Sequence, residues 1–126
     1  STSGSLDDVY VSSSKIYFNP STGTLNSTEF NSLSDIRYKE NIQIIDRPLD
    51  KIRNLRGVSF DWRDTQKKSV GMIAQEVEKI LPQVVDTEYS SDVKSINYGS
   101  IVGVLVEAIK MQQEQIEDLQ NKIDNS

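Results

Sequence analysis

The chain has 126 residues, 36% hydrophobic and 26% charged, with a formal net charge of −5 and neither cysteine nor histidine. That length suits one domain, or one domain and a fragment of another, with a modest core and some apolar surface left for neighbouring subunits. An acidic balance without a basic tract argues against nucleic-acid binding, and no apolar run approaches the roughly 18 residues of a membrane span. No signal-peptide pattern opens the chain. The missing Cys and His remove disulfides, the usual zinc sites and every Ser-His-Asp or Cys-His arrangement. No Walker-type loop or dinucleotide fingerprint is found, so neither cofactor nor metal is expected.

Residues 1–8 read as a flexible lead-in. Val9-Tyr10-Val11 and Lys15-Ile16-Tyr17-Phe18 are short runs of strand-forming residues. Asn19-Pro20-Ser21-Thr22-Gly23 is a turn, in which Pro fixes one φ and Gly supplies a positive one, and Thr24-Leu25 resumes extended chain. This first third has too few large apolar residues for a core of its own. It reads as the end of a β-structure continuing upstream. Asp35 is placed to cap a helix beginning near Ile36. Pro48 suits the first position of a short helix over Leu49 to Asn54, which Gly57 ends. Val58-Ser59-Phe60-Asp61-Trp62 alternates as a strand does, with Phe60 and Trp62 expected in the core. Ser69 to Ile73 is its partner strand, leading into a helix from Ala74 to Ile80 with Ile73, Val77, Ile80 and Leu81 on one stripe. Pro82 stops that helix. Gln83 to Thr87 and Val93 to Asn97 are two further short strands around a turn at Glu88 to Asp92.

From about Gly99 to the end runs one helical pattern. Val102, Leu105, Ile109, Gln112, Ile116, Leu119 and Ile123 recur at alternating spacings of three and four, a coiled-coil series with one polar member. From Gln112 onward the remaining positions are nearly all polar. So narrow a stripe suits a partner helix better than a broad globular core.

Between the two halves lies Leu33-Ser34-Asp35-Ile36-Arg37-Tyr38-Lys39-Glu40-Asn41-Ile42, which holds a hydroxyl and an amine. Without His, a Lys can deprotonate a Ser if its amine is neutral. Arg37 would favour that form by like-charge repulsion, and Glu40 would oppose it. Residues five apart lie about 140° apart around a helix and on opposite faces of a strand. Ser34 and Lys39 therefore meet only if Ser34 sits just before a helix and Lys39 folds back, or if Lys39 comes from another subunit. On the residues alone, a helix cap at Ser34 or Asp35 and a solvated Lys39 are the preferred explanation of the pair.

The stretch Ser34 to Ile42 resembles the Ser-Asp-x-Arg-x-Lys-x-x-Ile opening of the C-terminal intramolecular chaperone domain of bacteriophage tailspikes, tail fibres and neck appendages, the endosialidase type. Val58 to Trp62, Gly71 to Pro82, and Ile96-Asn97-Tyr98 running on through Glu107-Ala108-Ile109-Lys110 agree with that family in the same order. Tyr17 to Leu25 is similar to the terminal stem of a phage fibre. The resemblance implies a homotrimer that helps the upstream fibre β-stem of the same polypeptide to assemble, then cuts itself away between Leu33 and Ser34. Ser34 is implied as nucleophile and Lys39 as general base of a single-turnover serine peptidase. Asp35 and Arg37 match supporting motif positions. The precursor would be made in the host cytoplasm, and the chaperone part would be absent from the mature virion.

The expected fold class is α+β. Residues 1–33 form the end of a β-stem. Residues 34–126 form a small mixed helix/strand domain, whose long helix over 98–126 joins a trimeric bundle or coiled coil. A non-cleaved oligomerisation cap, or a receptor-binding tip using Tyr10, Tyr17 and Tyr89, are the alternatives.

Overall fold

A computed structural model of the protein describes residues 14–126. The strand expected at Val9-Tyr10-Val11 and the lead-in over 1–8 lie outside the described residues. The chain divides into two compact units, one ending at Glu40 and the other spanning Asn41–Ser126.

In the first unit, β1 (Ile16–Asn19) pairs antiparallel with β2 (Thr24–Ser27), with Phe18 opposite Leu25. The Asn19 side chain fastens the turn by accepting from the Ser21 N–H at 3.1 Å and the Ser21 hydroxyl at 2.8 Å. Gly23 stands at φ +71° and donates its N–H to the Asn19 carbonyl at 2.8 Å. This hairpin buries little. Tyr17, Phe18, Leu25 and Phe30 are all more than half exposed, which is unfavourable for an isolated two-stranded ribbon.

The second unit opens with α1 (Pro48–Arg53), where Pro48 takes the first turn and is buried. Two antiparallel hairpins follow: β3 (Val58–Asp61) with β4 (Lys68–Gly71), and β5 (Val85–Thr87) with β6 (Lys94–Ile96). Between them lies α2 (Ala74–Ile80). Both hairpins close as the first one does. Gln66 (φ +61°) donates to the Trp62 carbonyl at 2.7 Å, and Asp92 (φ +59°) to the Glu88 carbonyl at 2.9 Å. Among the described residues the same i→i+4 turn therefore recurs three times, with glycine at its left-handed position once.

The core forms where the α2 stripe meets the last and longest element, α3 (Tyr98–Asp124). Val77, Leu81, Val84, Ile101 and Val104 are buried together, with Ile45, Ile52, Leu55, Met72, Ile80, Val85 and Ile96 packed around them. Asn97 caps α3 by accepting from the Ser100 N–H at 3.3 Å. The architecture of the described residues is thus mixed helix and strand, with three short antiparallel pairs and a long C-terminal helix.

Three local expectations differ from this structure. The helix expected from Ile36 is a single 3₁₀ turn, Ile36–Tyr38. Lys39 already has extended backbone and Asn41 sits at φ +54°, so the chain leaves helical geometry at once. The first half of the strand expected at Gln83 to Thr87 is also a 3₁₀ turn, Pro82–Val84, because the fixed φ of Pro82 starts a helical turn. Trp62, expected in the core, is 54% exposed. It stands one residue beyond β3, where a two-stranded sheet has no layer to cover it, and meets Phe60 edge-to-face at 5.1 Å.

α3 carries two apolar stripes. Ile101, Val104 and Ala108 are buried, with Met111 half-buried, and this stripe faces the head of its own chain. The coiled-coil series lies one residue further round. Its apolar members Val102, Leu105, Ile109, Ile116, Leu119 and Ile123 are 41–66% exposed. From Gln112 to Ser126 every residue is exposed. That projecting portion is roughly 20 Å long.

The start of α3 is locked to the end of β4. The Tyr98 hydroxyl accepts from the Met72 N–H at 2.9 Å. A Cβ added at Gly71 would lie 2.6 Å from that hydroxyl. Gly71→Ala must therefore push the ring off its donor and is expected to destabilise the unit by about 1–3 kcal/mol, while Tyr98→Phe costs about 1 kcal/mol. Urea unfolding midpoints measure both.

The β5–β6 turn carries a strongly perturbed carboxyl. Glu88 accepts from the Ser91 hydroxyl at 2.5 Å, from the Ser91 N–H at 2.7 Å and from the Ser90 hydroxyl at 2.8 Å. These bonds, Ser91's first, lower its pKa from the ordinary 4.5 to about 2. A depressed carboxyl stabilises the fold above its unfolded pKa and loses that contribution as pH falls through the folded one. Stability should therefore decline between pH 4.5 and about 2, with a shallower decline in Glu88→Gln. Denaturation midpoints taken across that range test it.

Candidate active site

The candidate site is one turn of backbone wide. Ser34 precedes the Ile36–Tyr38 turn, and Lys39 ends it with φ −121° and ψ 145°, donating its N–H to the Ile36 carbonyl at 3.1 Å. The turn brings the chain back on itself. The Lys39 Nζ donates to the Ser34 Oγ at 2.5 Å within one chain. The structure thus brings together two side chains that neither a regular helix nor a strand would join.

Asp35 and Arg37 brace the same turn. The Asp35 carboxylate accepts from the Arg37 N–H at 2.9 Å, from Nε at 3.0 Å and from Nη2 at 2.8 Å. The guanidinium holds the Asp35 carboxyl below the usual carboxylate range, helped by the Arg37 backbone N–H. Asp35 in turn raises the pKa of Arg37. A bidentate, charge-assisted pair of this kind fixes geometry as well as charge. Leu33, on the other side of the Ser34 amide, is 99% exposed, and Ser34 and Lys39 are exposed as well.

Chemically, a hydroxyl and an amine in this contact can exchange a proton, and general-base catalysis needs the amine neutral so that it accepts the serine proton. Withdrawal of water favours the neutral form.

The carboxylates elsewhere have other partners. Glu76 holds Arg56 at 2.7 and 3.1 Å, Glu78 holds Lys94 at 3.0 Å, and Asp61 lies 3.5 Å from Lys68. Among the described residues no cluster of three or more acidic side chains is placed to hold a metal ion. No helix among them is long and apolar enough to cross a membrane. Sequence reasoning missed an open groove of about 810 Å³, whose lining includes Phe60, Trp62, Met72, Ile73, Ile96 and Tyr98. Its only signal was the density of aromatics around β3.

With this geometry in view, the chain can be set beside known proteins. Residues 34–86 match the family described as "chaperone of endosialidase", and the match begins at Ser34. The relatives it matches are phage fibre proteins. It is 29% identical over 111 residues to long tail fiber protein Gp37 of Salmonella phage S16, covering 80% of this chain and 15% of that protein. It is 33% identical over 98 residues to Gp37 of Enterobacteria phage K3, covering 71% and 8%. With Gp37 of Enterobacteria phage M1 it shares 29% identity over 116 residues, covering 85% and 45%. The chain spans less than half the length of each of these relatives.

Proposed function

We propose that residues 34–126 are an assembly chaperone for a phage fibre segment preceding them in the same polypeptide, and that they release themselves by cutting the Leu33–Ser34 bond. The observation that carries this reading is the 2.5 Å contact between Lys39 and Ser34, beside a fully exposed Leu33. The match of residues 34–86 to the chaperone family supports the chaperone role. The exposed Tyr17, Phe18, Leu25 and Phe30 of the first unit suit a β-ribbon that is completed only by neighbouring chains.

Three chains that must align their ends before β-pairing begins face a large entropic barrier. A domain that associates first through α3 holds the stem ends at high effective concentration and in common register. Once it is cut away, the finished stem cannot easily retrace its path, and its persistence becomes kinetic.

The proposed reaction is local. Lys39 Nζ, as neutral amine, takes the Ser34 Oγ proton, and Oγ attacks the Leu33 carbonyl carbon through a five-membered ring. The C–N bond breaks, and the Ser34 nitrogen receives a proton to become a free amine. The product of this first step is an ester between Leu33 and Ser34 Oγ. Water then hydrolyses the ester, leaving a Leu33 carboxylate and regenerating the Ser34 hydroxyl. Burial of the site on assembly would supply the dry surroundings that the base requires.

The test is mass spectrometry of the chain produced with its upstream fibre segment. A fragment beginning at Ser34 is expected, together with a stem ending at Leu33. Added hydroxylamine should intercept the ester and give a Leu33 hydroxamate. A mature fibre that keeps residues 34–126 would identify a permanent cap instead.

A further inference from the structure

We infer that Gln112 is the register key of the assembly, the residue that makes α3 associate with further copies of this chain in parallel, in register and as three strands. This rests on the reading of α3 as an inter-chain helix.

Gln112 stands at the midpoint of the exposed seam. Val102, Leu105 and Ile109 precede it, and Ile116, Leu119 and Ile123 follow. The portion from Gln112 onward is wholly exposed, and a helix that short has little stability alone in water. Charge placement says what covers it. Glu107, Lys110, Glu114, Glu117, Asp118 and Asp124 all lie away from the seam and its immediate flanks, and of the flanking positions only Lys122 is charged. Identical helices can therefore meet along this stripe without opposing their carboxylates, so the occupant that fits is a second copy of the chain.

The orientation follows from the single polar position. An antiparallel pairing in apolar register sets Gln112 against Ile109 or Ile116. A parallel pairing slipped by one heptad sets it against Leu105 or Leu119. Either one buries an amide against hydrocarbon, which is costly. Only the parallel, unslipped arrangement brings the Gln112 amides to one level. There each NH₂ can donate to the next carbonyl around a closed ring of three. The amide is free to do so. Gln113 and Gln120 are tied along their own helix to Glu117 at 3.0 Å and Asp124 at 2.9 Å, whereas the Gln112 side chain makes no hydrogen bond among the described residues.

The apolar residues alone do not choose three strands. Ile109, Ile116 and Ile123 at a with Leu105 and Leu119 at d favour two. A polar residue at one core position is the known means of fixing register and strand number at some loss of stability.

The absence of cysteine makes the test clean. Ser126→Cys, labelled with pyrene, reports by excimer emission whether the helix ends lie together. Analytical ultracentrifugation reports stoichiometry. With Gln112 present, a single trimeric species with strong excimer emission is expected. Gln112→Leu should raise the thermal midpoint yet lose the single species, giving mixed stoichiometries or reduced excimer emission. Gln112→Asn should keep one species. A Gln112→Leu protein that remains a single trimer with undiminished excimer emission overturns the inference. If the Gln112 protein itself sediments as a monomer, the inter-chain reading of α3 falls first.

Discussion

Ser34→Ala and Lys39→Ala should each leave the chain uncut at Leu33–Ser34 when it is produced behind its fibre segment. Ser34→Ala removes the hydroxyl that closes the five-membered ring onto the scissile carbonyl, so its residual rate should be indistinguishable from spontaneous hydrolysis. Lys39→Ala removes the base and should slow cleavage by about 10²–10⁴-fold. Lys39→Arg should fare no better, because a guanidinium stays protonated. Time courses by intact-mass spectrometry measure all three. Because Lys39 reaches Ser34 inside one chain, mixed assembly of Ser34→Ala chains with Lys39→Ala chains should restore no cleavage. Restoration would mean that the base acts across the interface. Arg37→Ala leaves both reacting groups in place but unbraces the turn, so a slower reaction without complete loss is expected.

The second large effect concerns α3. Ile116→Asp with Leu119→Asp places two carboxylates on the apolar stripe of α3, in the portion where every residue is exposed. Each apolar side chain is worth about 1.5–3 kcal/mol on burial, and the loss repeats on every strand. Self-association should weaken by 10²-fold or more, as sedimentation equilibrium will measure. The head should unfold in urea as before, because its core ends at Ala108 and Met111. Glu117→Ala, on the outer face, is the control and should leave assembly unchanged. An Ile116→Asp/Leu119→Asp protein that still assembles would move the interface elsewhere, with the aromatic groove beside Trp62 as the next place to look.

The hairpins were legible because turn chemistry is local. Pro20 and Gly23 mark the first, and polar runs between apolar alternations mark the other two. The α2 stripe and the span of α3 were legible because their periods are long enough to average out exceptions. Tyr98, in contrast, bonds the Met72 backbone 26 residues away, and no local pattern announces a side chain meeting a distant N–H. Trp62 misled because aromatic character signals burial only where a second layer exists. The first half of α3 was ambiguous for another reason. Ile101, Val102, Val104, Leu105 and Val106 are apolar nearly all round, so periodicity could not separate the stripe that holds the head from the one left exposed. The Ser34–Lys39 pair was legible as residue types and motif, but its contact depended on a single 3₁₀ turn that propensity does not specify.

The two stripes of α3 also set an angle. Each head-facing residue is followed immediately by a seam residue: Ile101 by Val102, Val104 by Leu105, Ala108 by Ile109. Neighbours on a helix are turned by about 100°, so in the proposed assembly every head leaves the central axis on a bearing fixed by a rigid rod and not by a linker. One residue inserted just after Met111 would swing the outer seam by that same angle relative to the heads, whereas seven would restore the bearing and add only length. The helix would in this sense be an indexed shaft for the heads.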